Sequence, residues 1–142
     1  MSASIVLRAA ALAVALAFAA AAEAKTLRWS SQGDILTMDP HSQNEGLNNS
    51  VSDHIYEPLV TRGKDLKIEP CLATSWKAVN PTTTQFRLRT GVKFHDGTPF
   101  TADDVVFSIE RALAPTSNFS PYMQGITGAR RIDDATVEIT TK

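Results

Sequence analysis

The chain has 142 residues, with 14 Lys and Arg against 15 Asp and Glu, for a formal net charge of −1. That balance, with the basic residues scattered, leaves no electrostatic footprint for nucleic acid. A single cysteine, Cys71, excludes an internal disulfide, so packing has to supply the stability.

Met1 to Arg8 carry the amino-terminal charge and one arginine, and Ala9 to Ala22 then run without charge. Ala22-Glu23-Ala24 is a small-x-small site before Lys25. This order predicts a secretory signal peptide over residues 1–24, cleaved after Ala24. The apolar run is shorter than the roughly 20 residues a membrane-spanning helix needs. A lipid anchor would require a cysteine where Lys25 stands.

Thr26 to Ser31 alternates in character and predicts a first strand, followed by the loop Gln32-Gly33-Asp34. Asp39-Pro40 is a turn-initiating pair. Ser42-Gln43-Asn44-Glu45 has the spacing of a capping box, and Leu47, Val51, Ile55 and Leu59 recur every four residues. A helix follows, ending near Tyr56 because Pro58 disfavours helical geometry at Glu57.

Arg62-Gly63-Lys64-Asp65 reads as a turn into a short strand over Leu66 to Glu69. A hairpin is expected next, with Trp76 and Ala78 before the turn Asn80 to Thr83, and Thr84, Phe86, Leu88 and Thr90 after it. Arg87 and Arg89 fall on the opposite, solvated face. Val92 to Phe94 is a further extended piece, and His95-Asp96-Gly97 is a tight turn.

The second helix carries the strongest local signals. Thr101 is the expected N-cap, Asp104 completes a capping box, and Asp103 and Asp104 put negative charge at the positive end of the helix dipole. Phe100 packs on Val105 as a hydrophobic staple. Ala102, Val105, Val106, Ile109 and Leu113 form the buried stripe, and Pro115 stops the helix. Asn118 to Gly128 reads as loop, with a helical turn at Tyr122-Met123. Asp133-Asp134 reads as a hairpin turn before a half-buried strand over Ala135 to Lys142.

Catalytic patterns are absent. His41, His54 and His95 have no His or Cys partner at metal-ligand spacing, and there is no P-loop, nucleophile elbow or dinucleotide fingerprint. Structural roles are expected for the three histidines, and core positions for Trp29 and Trp76. Cys71, between Pro70 and Leu72, is expected to be a buried thiol. No cofactor or metal is implied.

Three linked stretches resemble the family 5 extracellular solute-binding proteins: Leu72 to Trp76, Phe86 to Arg89, and Gly91 to Val105. Ile55-Tyr56-Glu57-Pro58-Leu59 and the Thr26 to Pro40 segment are also similar to that family. Thr90 and Cys71 depart from its usual pattern. The resemblance implies an α/β chain forming part of a bilobal periplasmic-binding-protein fold with an extra small domain, truncated before the second lobe. Residues 25–60 would start the first lobe, and residues 61–142 would hold the rest of that lobe segment and an incomplete small domain.

The implied function is that of the periplasmic receptor of an ABC importer. Such a receptor captures peptides or similar small polar solutes as a monomer and delivers them to an inner-membrane permease. The resemblance maps the ligand-lining segment onto Gln43, Asn44, Glu45 and Gly46. There, free N–H groups at a helix start favour an anion, and Gly46 allows close approach. Gln32 is a second candidate, because it follows the first strand at its carboxyl end. A different reading is an independent interaction module or non-functional remnant, with the last strand as an exposed edge. A secreted hydrolase is the third.

Overall fold

A computed structural model describes residue 26 and residues 28–142. The signal-peptide reading lies outside the described residues. The chain divides after Gln32 into two units.

In the first unit, Thr26 and residues 28–32 form no strand, and Trp29 is 66% exposed. The expected first strand and the core position of Trp29 are therefore corrected. Alternation gives a strand its two faces, but ladder bonds to a neighbour hold it. Neither sheet of the described residues includes this stretch.

The second unit begins with a loop that leads into α1 (Gly46–Ser52). Its N-cap is Glu45, whose carboxylate accepts from Asn48 N at 3.0 Å. The capping box predicted at Ser42 does not form. The Ser42 hydroxyl instead donates to the Asp39 carbonyl, inside the Asp-Pro turn. Past Ser52 the chain continues as tight turns, and Tyr56 N still bonds to Ser52 O at 2.9 Å. The helix itself therefore ends at Ser52, short of the end expected near Tyr56, and only turn bonding continues toward Pro58.

A two-stranded hairpin follows, β1 (Val60–Arg62) and β2 (Ile68–Pro70). The second strand starts later than its composition suggests. Leu66 sits in the turn with φ 64, where Leu66 N bonds to Gly63 O.

The main sheet has four antiparallel strands in the order β3 (Ala73–Asn80), β4 (Thr83–Leu88), β6 (Thr136–Thr141), β5 (Ile126–Asp133). The last strand in sequence is therefore central. It pairs with β4 through Phe86↔Val137 and with β5 through Ala129↔Ile139. The exposed final edge expected of a remnant is not present; β3 and β5 are the edges.

Helix α2 (Ala102–Leu113) covers one face of this sheet. The capping box forms, with Asp104 Oδ2 accepting from Thr101 N at 2.7 Å. Ala114, before Pro115, is already extended at ψ 143, which ends the helix. Leu88, Ala102, Val105, Ile109 and Val137 make the core, and Leu59, Phe100 and Ile139 pack around it. Val106 and Leu113 are only half-buried, whereas Ala112 is buried. Each large apolar side chain of this core contributes on the order of 1.5–3 kcal/mol through burial.

Trp76 is not a core residue. It stacks on Phe86, with ring centroids 6.4 Å apart, yet remains 40% exposed on the edge strand. Cys71 is half-buried, short of the buried position expected. A 3₁₀ turn (Ser120–Met123) follows α2, at the site where a helical turn was expected.

On the other face of the sheet, Glu138 is buried to 6% exposure. It accepts from Gln85 Nε2 at 3.0 Å and from Arg130 Nε at 2.8 Å. The Gln85 bond, with Arg130 beside it, lowers its carboxyl below the usual range against the opposing effect of burial. The strand pattern there reads as alternating and half-exposed, so a buried carboxylate was not legible until β4 and β5 flanked it.

Candidate functional site

Four of the predicted ligand residues, Gln43, Asn44, Glu45 and Gly46, form one continuous stretch between the Asp39-Pro40 turn and α1. Asn44, Glu45 and Gly46 are exposed and Gln43 is half-buried. A side-chain carbon added at Gly46 would meet nothing within 4 Å, so the surface there is open. Gln32 is exposed and closes the first unit. Its strand-end rationale falls with the missing strand.

The stretch is held from below by residues that the sequence did not single out. Asn48, 2% exposed, donates to Thr37 O at 2.8 Å and accepts from Leu36 N at 2.9 Å. It staples the incoming chain to α1. Tyr56 donates its hydroxyl proton to Met38 O at 2.8 Å. Asn118, beyond α2, donates from its backbone N to His41 O at 3.0 Å and from its side chain to Ser42 O.

Arg111 in the last turn of α2 grips both oxygens of the Asp39 carboxylate. That pairing, together with the Asp39 bond from His41 N, holds the Asp39 carboxyl down at about 2. The helix dipole favours a cation at this end of α2 as well. Asn48 was visible in sequence as a polar residue beside the apolar stripe of α1. Nothing local in the sequence connects Arg111 or Asn118 to the loop.

The electrostatics of the loop differ from the expectation of an anion at the helix start. Glu45 already places a carboxylate on the first turn of α1 and takes the Asn48 N–H. A second anion there would meet that charge. Gln43 and Asn44 amides beside the exposed Glu45 carboxylate make a polar surface suited to hydrogen-bond donors and to an ammonium group.

A larger cleft of about 640 Å³ lies elsewhere. It runs between the segment 53–59 and the piece 92–95, with Phe100, Val105 and Ile109 in its wall and His54 and His95 at its border. None of residues 43–46 lines it. Among the described residues no group of His, Cys, Asp and Glu is placed to hold a metal ion, and no helix is long and apolar enough to cross a membrane.

Residues 67–142 match the family of bacterial extracellular solute-binding proteins, family 5, middle region. The chain is 32% identical over 134 residues to the glutathione-binding protein GsiB of Escherichia coli K12, covering 92% of this chain and 26% of that protein. Among solved structures it resembles MoaA of A. tumefaciens R10 in complex with mannopinic acid, with TM-score 0.71 and 34% identity over 77% of this chain and 24% of that one. It also resembles NikZ of Campylobacter jejuni in complex with Ni(L-His), with TM-score 0.68 and 27% identity over 77% of this chain and 22% of that one. The chain thus spans about a quarter of the length of the proteins it matches. The fold is mixed α/β, of the kind found in periplasmic binding proteins. On the family match and the linked motifs that carry it, this chain belongs to the family 5 bacterial extracellular solute-binding proteins.

Proposed function

We propose that this chain serves as part of the substrate-binding component of an ABC importer, taking up peptides or similar small polar solutes. The observation that carries this reading is the family match over residues 67–142, joined to a polar loop held rigidly in front of it. In this reading residues 1–24 direct export and are removed after Ala24, and the mature protein works as a monomer in the periplasm. Residues 25–60 open the first lobe and residues 61–142 continue it into the small domain. The bound form docks on an inner-membrane permease.

Gln43, Asn44, Glu45 and Gly46 line the solute side of the lobe. Glu45 receives the ammonium end of a peptide or the donor groups of another polar solute, and the Gln43 and Asn44 amides fix its orientation. A lobe that closes over the solute shifts population by its differential affinity for the closed state. No covalent chemistry is involved.

The test is a thermal-shift and calorimetric screen of the complete gene product with short peptides, glutathione, opine-type sugar conjugates and nickel chelates. A true ligand at about 100 times its Kd stabilises the native state by about 2.7 kcal/mol. Gln43→Ala is expected to weaken the binding without lowering the melting temperature, whereas Glu45→Ala should weaken binding and also lower the melting temperature, because Glu45 caps α1. No binding by any class, or turnover of a solute, would refute the reading. The chain of residues 25–142 alone is expected to bind none of them tightly.

A further inference from the structure

His41 occupies an unusual position behind the loop. It follows Pro40 in the Asp39 turn and precedes Gln43 by two residues. Its backbone is fixed on both sides, with His41 N donating to Asp39 Oδ1 at 3.0 Å and His41 O accepting from Asn118 N at 3.0 Å. Its ring meets Phe119 edge-on, with centroids 6.2 Å apart and planes at 61°. Nδ1 is buried and has no hydrogen-bond partner.

The neighbours define which protonation state fits. The Asp39 carboxylate is committed to the Arg111 guanidinium and to His41's own backbone N–H. Arg111 is the cation that bears on the ring, and Asp39 is the anion. Ser117, Asn118 and Phe119 bring no charge, and Tyr56 bears on Arg111 and donates its hydroxyl proton to Met38 O. A neutral imidazole leaves Nδ1 as a buried lone pair, a modest loss. A protonated one buries an N–H donor and a positive charge without an acceptor, beside a guanidinium. An unpaired buried donor is costly, and an unpaired buried charge more so.

We infer that His41 is a proton-sensitive positioning residue for the Gln43–Gly46 loop, docked while its ring is neutral and released when the ring is protonated. The inference deepens the solute-binding reading of that loop and rests on it for its functional meaning. Burial, and then the nearby Arg111, hold the ring's pKa below the ordinary 6.5, while Asp39 opposes them. The docked loop therefore binds fewer protons than the undocked one. Docking is complete above pH 6.5 and weakens as pH falls below it. Solute held by the loop would be released more readily on the acid side.

The experiment is amide hydrogen exchange of the full chain between about pH 7.5 and about pH 5, corrected for intrinsic rates and run without solute. Wild-type protein is expected to lose protection selectively at the amides of His41, Ser42 and Asn118, which bond within the docked turn, while β4 and β6 keep theirs. His41→Phe keeps a ring on Phe119 without a titrating proton, and its loop is expected to hold constant protection over the range. His41→Gln serves as the second uncharged variant if the first does not fold. Constant protection in the wild type, or equal loss in the uncharged variant, overturns the inference. The His41 ring proton shift, followed by NMR, adds a check: a midpoint at or above 6.5 also overturns it. A loop that titrates as expected in a protein that binds no solute would sink the transport reading and leave the positioning role standing.

Discussion

Arg111 holds both carboxylate oxygens of Asp39 across a separation of 72 residues. This contact fixes the turn that precedes the candidate solute loop to the end of α2, a helix closed at its start by a capping box. Through it, the rigidity of the core reaches a surface loop that has little apolar packing of its own.

The pair predicts an acid transition. The Asp39 carboxyl is lowered from 3.8 to about 2, first by the Arg111 hydrogen bond and then by the His41 backbone N–H. A group depressed in the folded state contributes stability above its ordinary pKa and loses it as pH falls through the folded one. Protection of residues 36–46 should therefore drop between pH 3.8 and about 2, well below the window of His41. In Asp39→Asn that step should vanish, and exchange of those amides should be fast already at neutral pH. Arg111→Lys should retain only part of the wild-type protection, because an ammonium keeps the charge and loses the two-pronged geometry.

The second prediction concerns the start of α2. Asp104 closes the capping box on Thr101. Asp104→Ala should cost about 1 kcal/mol by urea denaturation, with the slope unchanged. Thr101→Ala should cost about the same, and the double variant less than the sum, because the two side chains act as one cap.

The third concerns the core. Leu88 is 3% exposed and packs beneath α2. Leu88→Ala should destabilise by about 2–5 kcal/mol, the range for a large-to-small core change. Trp76→Ala, on the edge strand, should cost less than Phe or Trp removal from a closed core. Equal costs at the two sites would contradict the exposure of Trp76.

The fourth concerns a turn. Gly97 has φ 89, and its N–H bonds to Phe94 O at 2.9 Å. A side chain there is strained even though nothing lies within 4 Å to clash with it. Gly97→Ala should lower stability by about 1–2 kcal/mol, the cost of a left-handed backbone for an L-residue. Gly46→Ala, with ordinary φ and open space, should not.

Local signals were read well where one short stretch contains the whole cause. The α2 cap, its end at Pro115, the Gly97 turn and the β3–β4 hairpin all depend on residues within a few positions of one another. The reading weakened where two signals competed nearby. Ser42 was expected to cap the helix, but α1 starts at Gly46, which makes Glu45 the cap. Leu66 looked like a strand residue, but the hairpin register required a turn there.

The candidate site divides in the same way. Residues 43–46 rest on motif resemblance; Asn44, Glu45 and Gly46 are exposed and Gln43 is half-buried. Glu45 supplies the cap expected of Ser42, which sets a carboxylate on the stretch where an anion was expected. Asn118 and His41 carried no legible role, since each acts through a neighbour distant in sequence.

What the amino-acid sequence determined by itself was the family and those local elements whose cause lies within a short stretch, such as the α2 cap, the Gly97 turn and the β3–β4 hairpin. Only the tertiary structure decided that β6 lies between β4 and β5, that Glu138 is buried, and that Arg111 clasps Asp39. These depend on long-range strand pairing and helix packing. Hydrophobic burial and ladder bonds bring such residues together, and no local preference encodes which distant partner each will meet.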